Sequence, residues 1–116
     1  MKKIYHLSSC STCKRIINEL EPGSTVVMQD IKTEPLTNDQ LEEMKALSGS
    51  YESLFSRRAM KYKSLGLKDK NLSEDNYKNY ILNEYTFLKR PVIIVDGQIF
   101  IGSSKKVVEQ AKKAMH

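Results

Sequence analysis

Ile4-Tyr5-His6-Leu7-Ser8-Ser9-Cys10-Ser11-Thr12-Cys13, running on into Lys14-Arg15-Ile16-Ile17-Asn18-Glu19-Leu20, is the stretch on which the fold of this chain turns. A short apolar run, Ile4 to Leu7, reads as a strand and breaks at Ser8-Ser9; Lys14 to Leu20 reads as a helix. Cys13, Ile16, Ile17 and Leu20 recur at i, i+3, i+4, i+7 spacing, so one helix face packs on a sheet while Lys14, Asn18 and Glu19 face out. The only two cysteines therefore sit at a strand-to-helix turn. A helix start presents unsatisfied N–H groups and about half a positive charge, which stabilises a thiolate and lowers its pKa. Cys10 is thus the candidate reactive thiolate and Cys13, one turn on, the candidate resolving thiol. Ser11 and Thr12 are candidate donors to the sulfur through hydroxyl or backbone N–H, helix capping being the alternative role. His6, on the strand leading to the turn, is a candidate proton donor, although strand alternation favours a packed or solvated histidine.

Outward from this stretch, Pro22-Gly23 ends the helix and Thr25-Val26-Val27-Met28 reads as a second strand. Strand, helix and strand within about 30 residues imply a right-handed parallel βαβ unit. After a connector broken by Pro35, Thr37 with Gln40 fits a capping box, and the helix that follows places Leu41, Met44 and Leu47 or Ala46 on one face before Gly49. Tyr51 to Leu67 reads as two short helices, and Ser73 as the N-cap of a helix to about Glu84. Strand character returns in Val92-Ile93-Ile94-Val95, turns at Asp96-Gly97, and runs back through Gln98 to Ile101. Gly102-Ser103-Ser104 then leads to a last helix with Val107, Val108, Ala111 and Met115 inward. The order β-α-β, helical block, β-β-α predicts an α/β protein of thioredoxin-like architecture with a mixed four-stranded sheet. One domain over 1–116 is expected, with a helical insertion at about 37–86.

Composition narrows the function. A chain of 116 residues has no apolar run near the roughly 18 residues of a membrane span and no signal-peptide core ahead of its first strand, so a cytoplasmic location without membrane association is expected. A C-x-x-C pair is a redox pair, half of a metal site, or coincidence. Tetrahedral zinc needs about four ligands, and His6 and His116, at opposite ends of the chain, are the only histidines. No metal is expected. Lysines and arginines occur along the whole chain, so the formal net charge of +5 reads as a diffuse excess, compatible with an anionic substrate, an acidic partner or weakly held nucleic acid, without discriminating between them. No recognition helix or concentrated basic patch stands out, and direct DNA binding is not expected.

Four segments taken in order carry a resemblance. They are Tyr5-His6 ahead of Cys10, Tyr62-Lys63-Ser64-Leu65-Gly66-Leu67, Leu88-Lys89-Arg90-Pro91-Val92-Ile93-Ile94, and Ile101-Gly102 before the last helix. Over nearly its whole length the chain resembles the ArsC/Spx family, the thioredoxin-like group of glutaredoxin-linked arsenate reductases and Spx-type transcription regulators. The resemblance implies that Pro91 is cis, faces the reactive cysteine and leaves nearby backbone free for a substrate. It also implies that Arg90, the arginine of the Arg-Pro pair, holds an oxyanion near the thiolate, a role suited to forked guanidinium donors. Those reductases carry two further arginines around the oxyanion. The first falls near Ser56, where Arg57 and Arg58 are adjacent candidates; the second falls at about Ser103, where none is available.

Two functions follow from the resemblance. The first is a thiol-dependent oxidoreductase acting on a small oxyanion such as arsenate, or on a disulfide, with no bound cofactor and with glutathione, glutaredoxin or thioredoxin as external reductant. Cys10, Cys13 and Arg90 would be catalytic, and Ser11, Thr12, Arg57, Arg58 and Pro91 would bind substrate. The alternative is an Spx-like redox-sensing regulator in which the same cysteine pair is a switch and RNA polymerase is the partner. The chain ends soon after its last helix, which favours the reductase.

Overall fold

The computed structural model describes all 116 residues, Met1–His116. Two compact units emerge: Met1–Pro35 together with Arg90–His116, and Leu36–Lys89.

The first unit is built on a four-stranded sheet of β1 (Lys2–His6), β2 (Val27–Asp30), β3 (Val92–Val95) and β4 (Gln98–Ile101), in the order β2-β1-β3-β4. β1 runs parallel to β2 and antiparallel to β3, and β3 runs antiparallel to β4. This is the mixed sheet of a thioredoxin-like fold, as the order of elements predicts. The parallel pair needs a crossover, which α1 (Ser11–Leu20) provides. The antiparallel pair needs only the Asp96-Gly97 turn, where both residues have positive φ (47° and 85°), as a twisted two-residue hairpin demands. The N-terminal ammonium reaches Asp96 Oδ1 at 2.7 Å across that turn.

The inner strand β3 is buried at all four positions. Ile4, Ile93 and Val95 share a core with Ile16 and Leu20 of α1 and with Val108, Ala111 and Met115 of α5 (Lys105–Met115). Val107, expected on the same face, is half-buried. The first helix is longer than the expected Lys14 to Leu20: it begins at Ser11, with Cys10 as its N-cap, and ends where Glu21 enters the left-handed region (φ 49°), one residue before Pro22. The second strand is displaced from the expected Thr25–Met28 to Val27–Asp30. Register is the reason: pairing runs from Lys3 opposite Val27 to His6 opposite Asp30, so Thr25 and Val26 still belong to the approach, with Val26 buried in the core. On this edge strand Val27 and Met28 are exposed and Gln29 is the buried residue.

In the second unit, α2 (Asn38–Ser48) and α4 (Glu74–Asn83) each start with a complete capping box, Thr37 with Gln40 and Ser73 with Asn76. α2 buries only Leu41 and Met44; Leu47 and Ala46, the alternatives expected on its inner face, are both exposed because that face continues through the half-buried Lys45 and Ser48. Between the two helices, the expected pair of short helices is a 3-10 turn (Glu52–Leu54), α3 (Met60–Ser64) and a second 3-10 turn (Leu67–Asp69). An aromatic cluster holds this unit: Phe55 stacks on Phe87 at 5.0 Å between ring centres and meets Tyr77 at 4.9 Å and the edge of Tyr62 at 6.0 Å.

Candidate active site

Cys10 is the N-cap residue of α1, with extended backbone (φ −87°, ψ 115°). Its own N–H donates to Leu7 O at 2.9 Å, closing the Leu7–Cys10 turn, and its carbonyl accepts from Lys14 N–H at 3.1 Å, opening the helix. The thiol therefore stands where the helix presents its free N–H groups. Partial burial would raise the Cys10 pKa, but hydrogen bonds from the Cys13 backbone, the Cys13 thiol and the Thr12 backbone, with the Arg90 charge, bring it below the ordinary thiol value. Thr12 thus acts through its N–H; Ser11, the first helical residue, is exposed.

Cys13 is the opposite case. It is fully buried, on the helix face that packs on the sheet. Burial pushes its thiol up to about 11; the hydrogen bond to Cys10 and the charge of the Cys10 thiolate add to this, while a backbone hydrogen bond from Leu7 and the Arg90 charge oppose it. Both thiols are free. The pair is electronically split: one sulfur is biased to thiolate, the other to thiol, and they share a hydrogen bond.

Arg90 and Pro91 reach this site through the sheet. Tyr5 pairs with Val92, so Pro91 lies one step beyond the last paired residue of β3, at the end of β1 that runs into the cysteine turn. The Arg90–Pro91 peptide is cis, and the Pro91 carbonyl accepts from Gly102 N–H at 3.0 Å. The Arg90 charge lowers the pKa of both cysteines. Cys10, Cys13, Thr12, Arg90 and Pro91 are thereby brought together in one unit. Ser103, where a reductase arginine would fall, is a half-buried serine just after β4.

Arg57 and Arg58 belong to the second unit. Arg57 Nη2 is bound to Glu52 Oε2 at 2.7 Å and accompanied by the Tyr77 hydroxyl at 3.1 Å, with its guanidinium 5.8 Å from the Tyr77 ring centre. Arg58 is exposed, and its N–H donates to Ser56 Oγ at 3.3 Å.

One brace of the cysteine turn escapes sequence reasoning. Ser8 Oγ donates to Asp30 Oδ2 at 2.5 Å, Lys32 N–H donates to Asp30 Oδ1 at 3.1 Å, and Ile31 N–H donates to His6 O at 2.9 Å. The Ser8 and Lys32 hydrogen bonds, helped by the charge of His6, hold the Asp30 carboxyl below the usual range. The end of β2 thus tethers the turn that carries Cys10. His6 is half-buried beside Asp30, its partner in the register. No group of three His, Cys, Asp or Glu side chains suited to a metal ion is present, and no helix is long and apolar enough to cross a membrane.

Known proteins share this frame. An arsenate reductase of Neisseria meningitidis serogroup A is 26% identical over 114 residues, covering 92% of this chain and 94% of that protein. Among solved structures, an arsenate reductase from Vibrio cholerae superposes with a TM-score of 0.78 at 21% identity, covering 97% of this chain and 96% of the other. An arsenate reductase (ArsC) related protein from Brucella melitensis does so with a TM-score of 0.73 at 24% identity, covering 94% and 92%. At these identities the structural likeness speaks for the fold. The sequence model of the ArsC family matches residues 5–111, a span that includes both cysteines, Arg90 and Pro91 as well as the Leu36–Lys89 unit, and by that match the chain belongs to the ArsC family.

Proposed function

We propose that this protein is a thiol-dependent oxidoreductase in which Cys10 is the nucleophile, Cys13 the resolving thiol and Arg90 the anion-binding partner of the thiolate. The observation that carries this reading is the split between the two sulfurs, Cys10 lowered and Cys13 raised to about 11. Only a thiolate attacks, so the pair has a defined order of reaction. With arsenate, the substrate named for the Neisseria relative, the Cys10 thiolate displaces water from the protonated oxyanion and forms a sulfur–arsenic(V) bond. A second thiolate then attacks the Cys10 sulfur. The sulfur–arsenic bond breaks with its electron pair going to arsenic, arsenite leaves, and the two sulfurs remain as a disulfide. With a disulfide substrate the same attack gives a mixed disulfide and then Cys10–Cys13. Glutathione, glutaredoxin or thioredoxin would return two electrons to reset the pair.

The first step prepares the second. Once Cys10 is in covalent linkage its negative charge is gone, and with it two of the influences that keep Cys13 protonated, the hydrogen bond to Cys10 and the repulsion by its thiolate. Cys13 then ionises more easily at the moment its attack is needed. Thr12 N–H and Pro91 would border the bound substrate, and Ser11 would add a hydroxyl. The protein is placed in the cytoplasm on this reading, where reduced thiol pools are available.

The test is arsenate reduction with glutathione and glutaredoxin, run beside an assay with thioredoxin, on wild type, Cys10→Ser, Cys13→Ser and Arg90→Ala. Activity abolished by Cys10→Ser and lowered by about one to two orders of magnitude in Arg90→Ala supports the proposal. Activity that survives Cys10→Ser overturns it. No turnover with either donor, combined with capture of RNA polymerase by the oxidised protein, would replace it with the regulator.

A further inference from the structure

Basic side chains occur along the whole chain but are densest in one segment. Residues 57–70 hold six of its 19 basic side chains, Arg57, Arg58, Lys61, Lys63, Lys68 and Lys70, and one of its 14 acidic ones, Asp69. Everything outside that segment carries 13 of each sign, so the entire net charge of +5 resides in these 14 residues. All six cations are exposed. Arg57 is engaged by Glu52 and Lys61 by Glu84, at 2.7 and 2.8 Å, which leaves Arg58, Lys63, Lys68 and Lys70 outside the ion pairs.

The same segment displays apolar side chains. Met60 is 88% exposed, the highest value among the large hydrophobic residues, and Leu65 is 49% exposed. α3 buries none of its own residues. What fixes the segment is anchorage on either side of its exposed face: Tyr62 lies edge-on against Phe55, Leu67 is buried, and Gly66 turns the chain between them with φ 66°. The segment thus combines two exposed apolar side chains, Met60 and Leu65, with exposed cations at Arg58, Lys63, Lys68 and Lys70.

We propose that residues 57–70 form a docking surface for an acidic protein segment, with Met60 and Leu65 entering its apolar part and Lys63, Lys68 and Lys70 providing attraction and register. The chemistry favours protein over nucleic acid. Methionine adapts to apolar protein pockets, whereas single strands are gripped by exposed aromatic rings, and the aromatic residue here, Tyr62, is committed to Phe55. Charge complementarity would speed association and fix orientation, and it would make binding sensitive to salt.

The probe is a fluorescent synthetic peptide of Asp and Glu with Leu at every third position, titrated with the full chain at low salt. A second peptide has Ser in place of Leu, and duplex DNA and phosphatidylserine vesicles serve as competitors. Binding of the Leu peptide is expected to weaken at least about fivefold in Lys63→Glu/Lys68→Glu/Lys70→Glu and in Met60→Ser. It should stay within about twofold in the control Lys105→Glu/Lys106→Glu/Lys113→Glu, which reverses as many exposed charges elsewhere. Circular dichroism checks that each variant folds, and the highly exposed Met60→Ser change carries the test if the triple reversal does not. No binding, equal loss in the control, equal binding of the Ser peptide, or stronger competition by DNA or vesicles than by unlabelled Leu peptide would each overturn the proposal.

Discussion

A thiol becomes useful when its neighbours prefer one protonation state, and at this turn two sulfurs three residues apart are pushed in opposite directions. Alkylation followed against pH is therefore expected to resolve one fast cysteine, Cys10, ionising below the unperturbed value of about 8.5. In Cys13→Ala, which removes the thiol hydrogen bond, and in Arg90→Ala, its ionisation should move upward; mass mapping that shows Cys13 reacting first would contradict the assignment. Cys13 makes a separate prediction about stability. Its folded pKa lies above that of an unfolded thiol, so folding favours the neutral form; this contribution is full below the unfolded pKa and is lost as pH climbs towards about 11. Urea unfolding under reducing conditions should accordingly show wild type losing stability faster than Cys13→Ala between pH 9 and 11, by a margin approaching about 2 kcal/mol. Parallel curves would mean the thiol is not held protonated by the fold. The cysteines were legible because a helix start is a local feature. Arg90 was not legible from its own surroundings, since nothing near it in sequence distinguishes it from a surface residue at a strand start; the resemblance singled it out, and the sheet register accounts for its approach. The Ser8–Asp30 tether, which joins residues 22 apart, left no sequence signal beyond the two residue types.

Elements set by local chemistry are legible in the sequence, and those set by partners are not. Thr37 with Gln40 and Ser73 with Asn76 close capping boxes within four residues, so each helix start is written where it occurs. β2 is the contrary case: its β-branched Thr25-Val26-Val27 suggested one range, but pairing with β1 begins at Val27 and extends to Asp30. The segment between α2 and α4 depends on tertiary contacts in the same way. There the Glu74 carboxylate, in the first turn of α4, accepts from Tyr51 N–H at 2.7 Å and Glu52 N–H at 3.1 Å, capping the Glu52–Leu54 turn from a distance of more than twenty residues. Thr37→Ala and Ser73→Ala are each expected to lower stability by about 1 kcal/mol. Glu74→Gln, which keeps one acceptor oxygen, should be milder than Glu74→Ala, which leaves both N–H groups to water. Equilibrium denaturation distinguishes these outcomes, and an Ala variant no weaker than Gln would show that the carboxylate adds nothing to that turn.

On the scale of the whole molecule, the order of elements was the informative quantity, because a parallel βαβ start and an antiparallel ββα finish leave few ways to assemble one sheet. The first unit is completed by segments on both sides of Leu36–Lys89, since β1 pairs with β3 far along the chain. Charge distribution was legible only when counted segment by segment, which shows everything outside residues 57–70 to be balanced. This has a consequence for reactivity at Cys10. If the net excess of the molecule governed the approach of anions, reversing Lys63, Lys68 and Lys70 would alter it; if the charge beside the sulfur governs it, Arg90 will. The local arrangement is the stronger expectation, since a field decays over about 8 Å at physiological ionic strength. Reaction with an anionic aromatic disulfide should therefore slow by several-fold as salt is raised from about 10 to about 300 mM, while a neutral dipyridyl disulfide shows little change. Arg90→Ala should flatten the salt dependence for the anionic reagent once rates are corrected for thiolate fraction. The triple lysine reversal should leave it within about twofold of wild type. The opposite pattern, a slope abolished by the lysine reversals and untouched by Arg90→Ala, would assign anion attraction to the molecule's net charge and remove Arg90 from the anion-binding role.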